Sequence, residues 1–201
     1  MGAKEEVSRG PSGGRVKFLA RLLLVVCTAC TFPGGVLSQV LSQEYQLKAK
    51  YLGKIPSFVE WPPSAANTNK AAFQMCTWGE YRFGARLAQE IGGVTASGRR
   101  IELRWIHNAQ ELDGCEVIFF SRSEAKRYGK ILEGLKGKSV LTVGETNGFL
   151  EAGGMVEFRF ENDRLQMEVN LVAVRKANLK VDARLLALAK RVVTESSAPG
   201  G

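Results

Sequence analysis

Histidine is nearly missing from this chain: His107 is the only one in 201 residues. It follows a predicted strand, between Ile106, Asn108 and Ala109, and a lone imidazole there lacks the positioned partner that base catalysis requires. Cysteine is scarce as well, with four in the chain. A His/Cys metal site needs several ligands, so that chemistry is short of donors. Neither Cys76 nor Cys115 belongs to a Cys-x-x-Cys redox pair, no dense Asp/Asn run marks a calcium loop, and no carboxylate pair stands out for hydrolysis. No apolar stretch approaches the ~20 residues of a spanning helix. These absences argue against an enzyme, and the sequence implies neither cofactor nor metal.

What is there first is an address. Arg15, Lys17 and Arg21 precede the apolar run Leu22–Ala29, and small or turn-forming residues follow, with Val36-Leu37-Ser38 a cleavage site before Gln39. Basic, apolar, small is the order of a secretory signal, so residues 1–38 are expected to be removed on export to the periplasm. The long Gly/Ser-containing leader ahead of the basic region suggests translation from near Val16. A net charge of +8 then falls to +5, with 23 basic against 18 acidic residues, so much of the basicity belongs to the address. An exported location makes a nucleic-acid partner unexpected. Only Cys76 and Cys115 remain in the mature chain. An even pair in an oxidising compartment reads as one disulfide, with two reduced core cysteines as the alternative.

Hydrophobic spacing then orders the elements. Leu47, Tyr51, Leu52, Ile55, Phe58 and Val59 recur at helical intervals. Pro56 is expected to bend that helix and Trp61-Pro62-Pro63 to end it. A polar loop spans 65–70. Strands are predicted over 72–78, 100–106, 115–120 and 139–143, with helices over 82–91 and 123–135. That alternation predicts an α/β fold: a three-layer open, mostly parallel sheet with right-handed crossovers and helices on both faces. Val156, Phe158 and Phe160, then Leu165, Met167 and Val169, form an antiparallel hairpin at one sheet edge, turning at Asn162-Asp163. A short helix over 170–176 ends near Asn178. A final helix capped by Asp182 carries Leu185, Leu186, Leu188 and Val192, and 194–201 is a flexible tail.

Three features invite a functional reading. Gly153-Gly154 has no following Gly-Lys-Ser or Gly-Lys-Thr, and the strand after it makes it an approach turn rather than a phosphate loop. Arg122, Lys126 and Lys130 share one predicted helix face beside Arg127; this is a solvated face or a surface for anionic lipid or an acidic partner. Open α/β sheets take ligands at the carboxyl ends of their strands. There Trp78 offers a stacking face, Arg122 a cation, and Ser123 and Glu145 hydrogen-bonding groups.

The stretch Phe58–Pro62 with Trp61, the strand carrying Cys76, "CEVIFF" preceded by "LDG", Gly153-Gly154-Met155, the hairpin, Asn170 and the closing Leu-Leu helix together resemble the YfiR family, over residues 43–193. The resemblance implies a periplasmic, non-enzymatic regulator of α/β fold. By that likeness it would repress an inner-membrane diguanylate cyclase through the cyclase's periplasmic sensor portion, lowering cyclic di-GMP. An OmpA-like outer-membrane lipoprotein would sequester it, and a homodimer is expected. The resemblance also implies that Cys76 and Cys115 pair strand to strand. Leu150 and Glu157 stand where some relatives carry a second cysteine pair, so the hairpin is expected to hold by packing alone. A small-ligand sensor serving another membrane protein, such as a histidine kinase, is the competing class.

Overall fold

The computed structural model describes residues 34–63 and 71–195, with backbone alone over 34–42. Of the signal expected over 1–38, residues 1–33 lie outside the described residues, as do the loop over 65–70 and the tail beyond 195; residues 34–38, with the expected cleavage site, are helical.

Helix α1 (Gly34–Lys54) tightens into a 3-10 turn over Ile55–Phe58 and then extends as β1 (Val59–Glu60). Pro56 stands in the first turn of the 3-10 segment, where its missing N–H costs least. The chain continues through β2 (Ala72–Trp78), α2 (Arg86–Ile91), β3 (Thr95–Ala96), β4 (Arg99–Ile106) and β5 (Val117–Phe120). It then forms α3 (Tyr128–Gly134), β6 (Leu141–Gly144), β7 (Val156–Glu161), β8 (Arg164–Asn170), α4 (Leu171–Lys176), β9 (Lys180–Val181), α5 (Ala183–Ala187) and β10 (Arg191–Val193).

The main sheet has eight strands in the order β10-β8-β7-β6-β5-β2-β4-β3. Strands β4, β2, β5, β6 and β7 run parallel to one another, β3 pairs antiparallel with β4, and β7 and β8 form the antiparallel hairpin. All four residues of β5 and of β6 are buried, as continuous apolar strands covered on both faces should be. One face packs Phe73, Met75, Val117 and Phe119 against Leu52 of α1 and Leu87 of α2. The other packs Cys76, Ile118 and Phe120 against Tyr128 and Leu132 of α3. Three layers result, as the alternation predicts.

The hairpin turns where expected, with Asn162 at φ 51° and Asp163 at φ 57°. Asn170 accepts a hydrogen bond from the Ala173 N–H and so starts α4, and Asn178 at φ 57° closes it. Three predicted helices come out shorter, the one expected over 82–91 beginning only at Arg86. The run after Ser121 forms a 3-10 turn over Arg122–Glu124 before α3 begins at Tyr128. After α5 the chain becomes β10, parallel to β8 and outside the hairpin, so Val192 belongs to a strand rather than to the last helix. The Lys190 N–H donates to the Met167 carbonyl at 2.8 Å, and Arg191 meets Glu168 at 2.6 Å. These sheet contacts outweigh the weak helical preference of a short Val-Val run.

Gly153-Gly154 is a turn with a packing reason. Gly153 has φ 97°, and a Cβ on Gly154 would come within 2.2 Å of Phe149 ring carbons and 2.7 Å of the Phe149 carbonyl oxygen. Gly144 presses on the same ring from β6. Phe149 is fully buried between two glycines, with Met155 buried immediately downstream.

Cys76 and Cys115 form a disulfide with Cα atoms 5.9 Å apart. Cys115 lies just ahead of β5, where the Glu116 N–H donates to the Gln74 carbonyl, and this offset brings its thiol beside Cys76 in β2. Leu150 and Glu157 are joined in another way than by sulfur. The Leu150 N–H donates to the buried Glu157 carboxylate at 3.3 Å, and Arg159 pairs with the same group at 2.8 Å. The hairpin is therefore held by polar contacts as well as by packing.

Candidate functional site

The carboxyl ends of β2, β5 and β6 lie side by side, because Trp78 is in register with Phe120 and Phe120 with Gly144. The connections after β2 and β5 leave toward opposite faces: α2 packs on the first layer and α3 on the second. The gap between such strands is where an open α/β sheet usually takes a ligand. Here the gap is closed. The Glu80 N–H donates to Ser123 Oγ at 3.0 Å, and Trp78 Nε1 donates to the buried Glu124 carboxylate at 3.0 Å. A Cβ on Gly79, which has φ 93°, would come within 2.5 Å of Ser123 Oγ. Trp78 is buried and lies nearly parallel to Phe120, with ring centroids 6.2 Å apart, so it presents no exposed stacking face.

Arg122 and Glu145 meet at the neighbouring strand ends. Glu145, the residue after β6, accepts the Arg122 backbone N–H at 2.8 Å. Both its oxygens accept the Tyr45 hydroxyl at 3.0 Å. Lys48, with no exposed surface, pairs with Glu145 and with Glu44 one helical turn back. The Arg122 guanidinium, about half exposed, reaches Glu44 at 2.9 Å. Two carboxylates thus face two cations. Such a balanced, hydrogen-bonded cluster is how a protein tolerates buried charge. Burial, and then the Glu145 carboxylate, push the Tyr45 phenol far above its ordinary range. The cluster opens outward to a cleft of about 360 Å³ lined by Arg122, Glu145, Thr146 and Arg159 among others. Chemically it is a lock that ties α1 to the sheet end, since the donors and acceptors at its centre already serve one another.

The four strand-end candidates therefore separate into two groups. Arg122 and Glu145 share the charged cluster, whereas Trp78 and Ser123 close the neighbouring gap. Arg122 does not share a helix face with Lys126 and Lys130, because the 3-10 turn swings it toward α1. Lys126, Arg127 and Lys130 instead line a groove of about 720 Å³ above Trp78.

The residues missed from sequence are Glu44, Tyr45 and Lys48. The buried stripe of α1 runs Tyr45, Lys48, Ala49, Leu52, while Leu47 and Tyr51 are only half buried. A lysine at a three- and four-residue interval from Tyr45 and Leu52 was the one available signal.

The family-motif aromatics cover the sheet. Trp61 is buried edge-on to Phe73 at 4.9 Å. Phe58 lies half buried beneath the Arg184 guanidinium at 5.3 Å, and Pro62 is half buried beside Trp61. Among the described residues the exposed aromatic is Trp105 on β4, 58% accessible, with Tyr81 edge-on to it at 4.8 Å. Among the described residues no group of three or more His, Cys, Asp or Glu side chains could hold a metal ion. No helix among them is long and apolar enough to cross a membrane.

Residues 45–190 match the YfiR/HmsC-like family. The chain belongs to that family. Membership is consistent with a periplasmic regulatory protein. No curated protein matches this YfiR/HmsC-like chain. Among solved structures, an ABC domain in complex with L-Trp from Streptococcus pneumonia is similar at a TM-score of 0.49 and 8% identity, over 75% of this chain and 60% of that one. A conserved domain protein from Vibrio cholerae O1 biovar El Tor is similar at a TM-score of 0.49 and 10% identity, over 74% and 60%. The YfiR/HmsC-like chain thus spans less than two thirds of either structure's length.

Proposed function

We propose that this protein is a periplasmic, non-catalytic brake on a membrane signalling enzyme. Its target is the periplasmic sensor portion of an inner-membrane diguanylate cyclase, and binding lowers cyclic di-GMP. An OmpA-like outer-membrane lipoprotein releases the brake by competing for the protein, which acts as a homodimer. Family membership supports the regulatory reading, and the paired charges around Glu145 favour a structural over a catalytic role for the strand ends.

The observation that carries the contact reading is Trp105. It stands exposed beside Tyr81 on a strand whose outer edge is paired with β3 only at Arg99 and Arg100 among the described residues. An accessible tryptophan on a strand edge with no further ladder partner among the described residues combines an aromatic anchor with strand-pairing capacity. The test is a pull-down from inner membranes with the mature protein as bait, beside the Trp105→Ala variant. Wild type is expected to retain the cyclase. The variant is expected to lose it and to raise cellular cyclic di-GMP, with its thermal midpoint unchanged. Equal retention by both proteins would remove Trp105 from the contact, and failure of wild type to retain any cyclase would sink the proposal.

A further inference from the structure

The groove above Trp78 has no part in the charged cluster or in the Trp105 surface. One wall is the segment after β4, including His107 and Gln110; the other is α3 and the turn before it. Its lining is divided by chemistry. Leu112, Ile131 and Leu135 form an apolar floor continuous with the second core layer. Lys126, Arg127, Lys130 and Lys138 stand around it, against one lining carboxylate, Asp113.

Those cations are unequally committed. Arg127 pairs at 2.7 Å with Glu124, the buried carboxylate that also accepts Trp78 Nε1. Lys126, Lys130 and Lys138 make no ion pair among the described residues. A volume of about 720 Å³ lies within the few hundred to ~1,000 Å³ usual for small-molecule sites. Three free ammonium groups over an apolar floor select a molecule with an anionic end and an apolar body. Coulomb attraction to the exposed lysines at the rim adds to burial of that body, and neither half alone uses the whole site.

We propose that this groove binds a small amphiphilic anion, an organic carboxylate, sulfonate or phosphate ester carrying an aromatic or aliphatic body. Occupancy would bridge the segment after β4 to α3 across the closed gap, so the ligand would read two elements that β2 and β5 hold side by side. The inference does not depend on the identity of the protein's membrane target.

The probe is 8-anilinonaphthalene-1-sulfonate, titrated into the folded mature protein by fluorescence. His107 supplies the site report, because as the sole histidine it gives one ring signal in a proton–carbon correlation spectrum. Saturable one-to-one binding that shifts the His107 signal is expected. The Lys126→Gln/Lys130→Gln double variant, with an unchanged thermal midpoint, should bind about tenfold more weakly or worse, which is ~1.4 kcal/mol or more. N-phenyl-1-naphthylamine, the same body without the sulfonate, should be weakened to a similar degree. Inorganic phosphate alone should compete only poorly. Probe binding that leaves His107 unmoved, or that survives the double substitution, overturns the proposal. Equal affinity for the neutral analogue reduces the groove to an apolar patch. Capture by phosphatidylglycerol vesicles without one-to-one probe binding would reassign the lysines to a membrane surface and likewise overturn it.

Discussion

The Tyr45 hydroxyl donates to both oxygens of the Glu145 carboxylate at 3.0 Å, across 100 residues of chain. Lys48 pairs with the same carboxylate from one turn farther along α1. Removing Lys48 would leave Glu44 and Glu145 facing each other in the interior with Arg122 as their main counter-charge. Lys48→Met is therefore expected to cost about 3–5 kcal/mol, the usual penalty for breaking a buried pair. Urea unfolding would measure it. Adding Glu145→Gln to Lys48→Met should recover part of the loss; a double variant that loses the full sum of the two single effects would contradict a coupled cluster.

The same contact sets an alkaline limit. Burial and Glu145 raise the folded-state pKa of Tyr45 above its ordinary value of 10. The stability it contributes is then fully present below pH 10 and is lost as pH rises from there toward the folded value. Tyr45→Phe, which cannot ionise, should show a stability deficit against wild type that is constant up to about pH 10 and shrinks above it. Denaturant midpoints of both proteins between pH 7 and 11 would settle the matter, and a deficit independent of pH would contradict it.

The Cys76–Cys115 bond closes a loop of 39 residues containing α2 and β4. In the chain-entropy model such a loop restricts the unfolded state by about 4 kcal/mol. Cys76→Ser and Cys115→Ser are expected to destabilise about equally, and the double variant no more than either. Non-reducing peptide mapping should recover the two residues in one cross-linked pair. Additive losses, or two free thiols in freshly isolated protein, would refute a structural disulfide.

Gly154 is required by its neighbour rather than by its own backbone. Gly154→Ala drives a methyl group into the Phe149 ring and should cost about 1–3 kcal/mol by overpacking. The Phe149→Leu background should reduce that cost, since the smaller side chain makes room. An equal cost in both backgrounds would place the strain elsewhere in the turn.

Much of the architecture follows from short-range patterns. The alternation through Phe158 and Phe160, the Asn162-Asp163 turn, the apolar "CEVIFF" strand and the Asn170 and Asp182 caps each act within a few residues. Their physics is present in the local chain. The final helix is shorter than its spacing predicts because Leu185, Leu186 and Leu188 keep helical intervals, while the pairing of β10 with β8 draws on Met167 and Glu168, more than twenty residues away.

The sequence by itself determined the three-layer α/β order, the hairpin and the pair of cysteines available to each other. It also bounded the chemistry by leaving a single histidine and few metal donors. Only the tertiary structure decided that Lys48 is interior, that the gap beside Trp78 is closed, and that Arg122 parts company with Lys126 and Lys130. Propensity and periodicity act over one or two turns. The state of a charged side chain depends on which distant partner the packed layers bring to it, and on how much water those layers exclude.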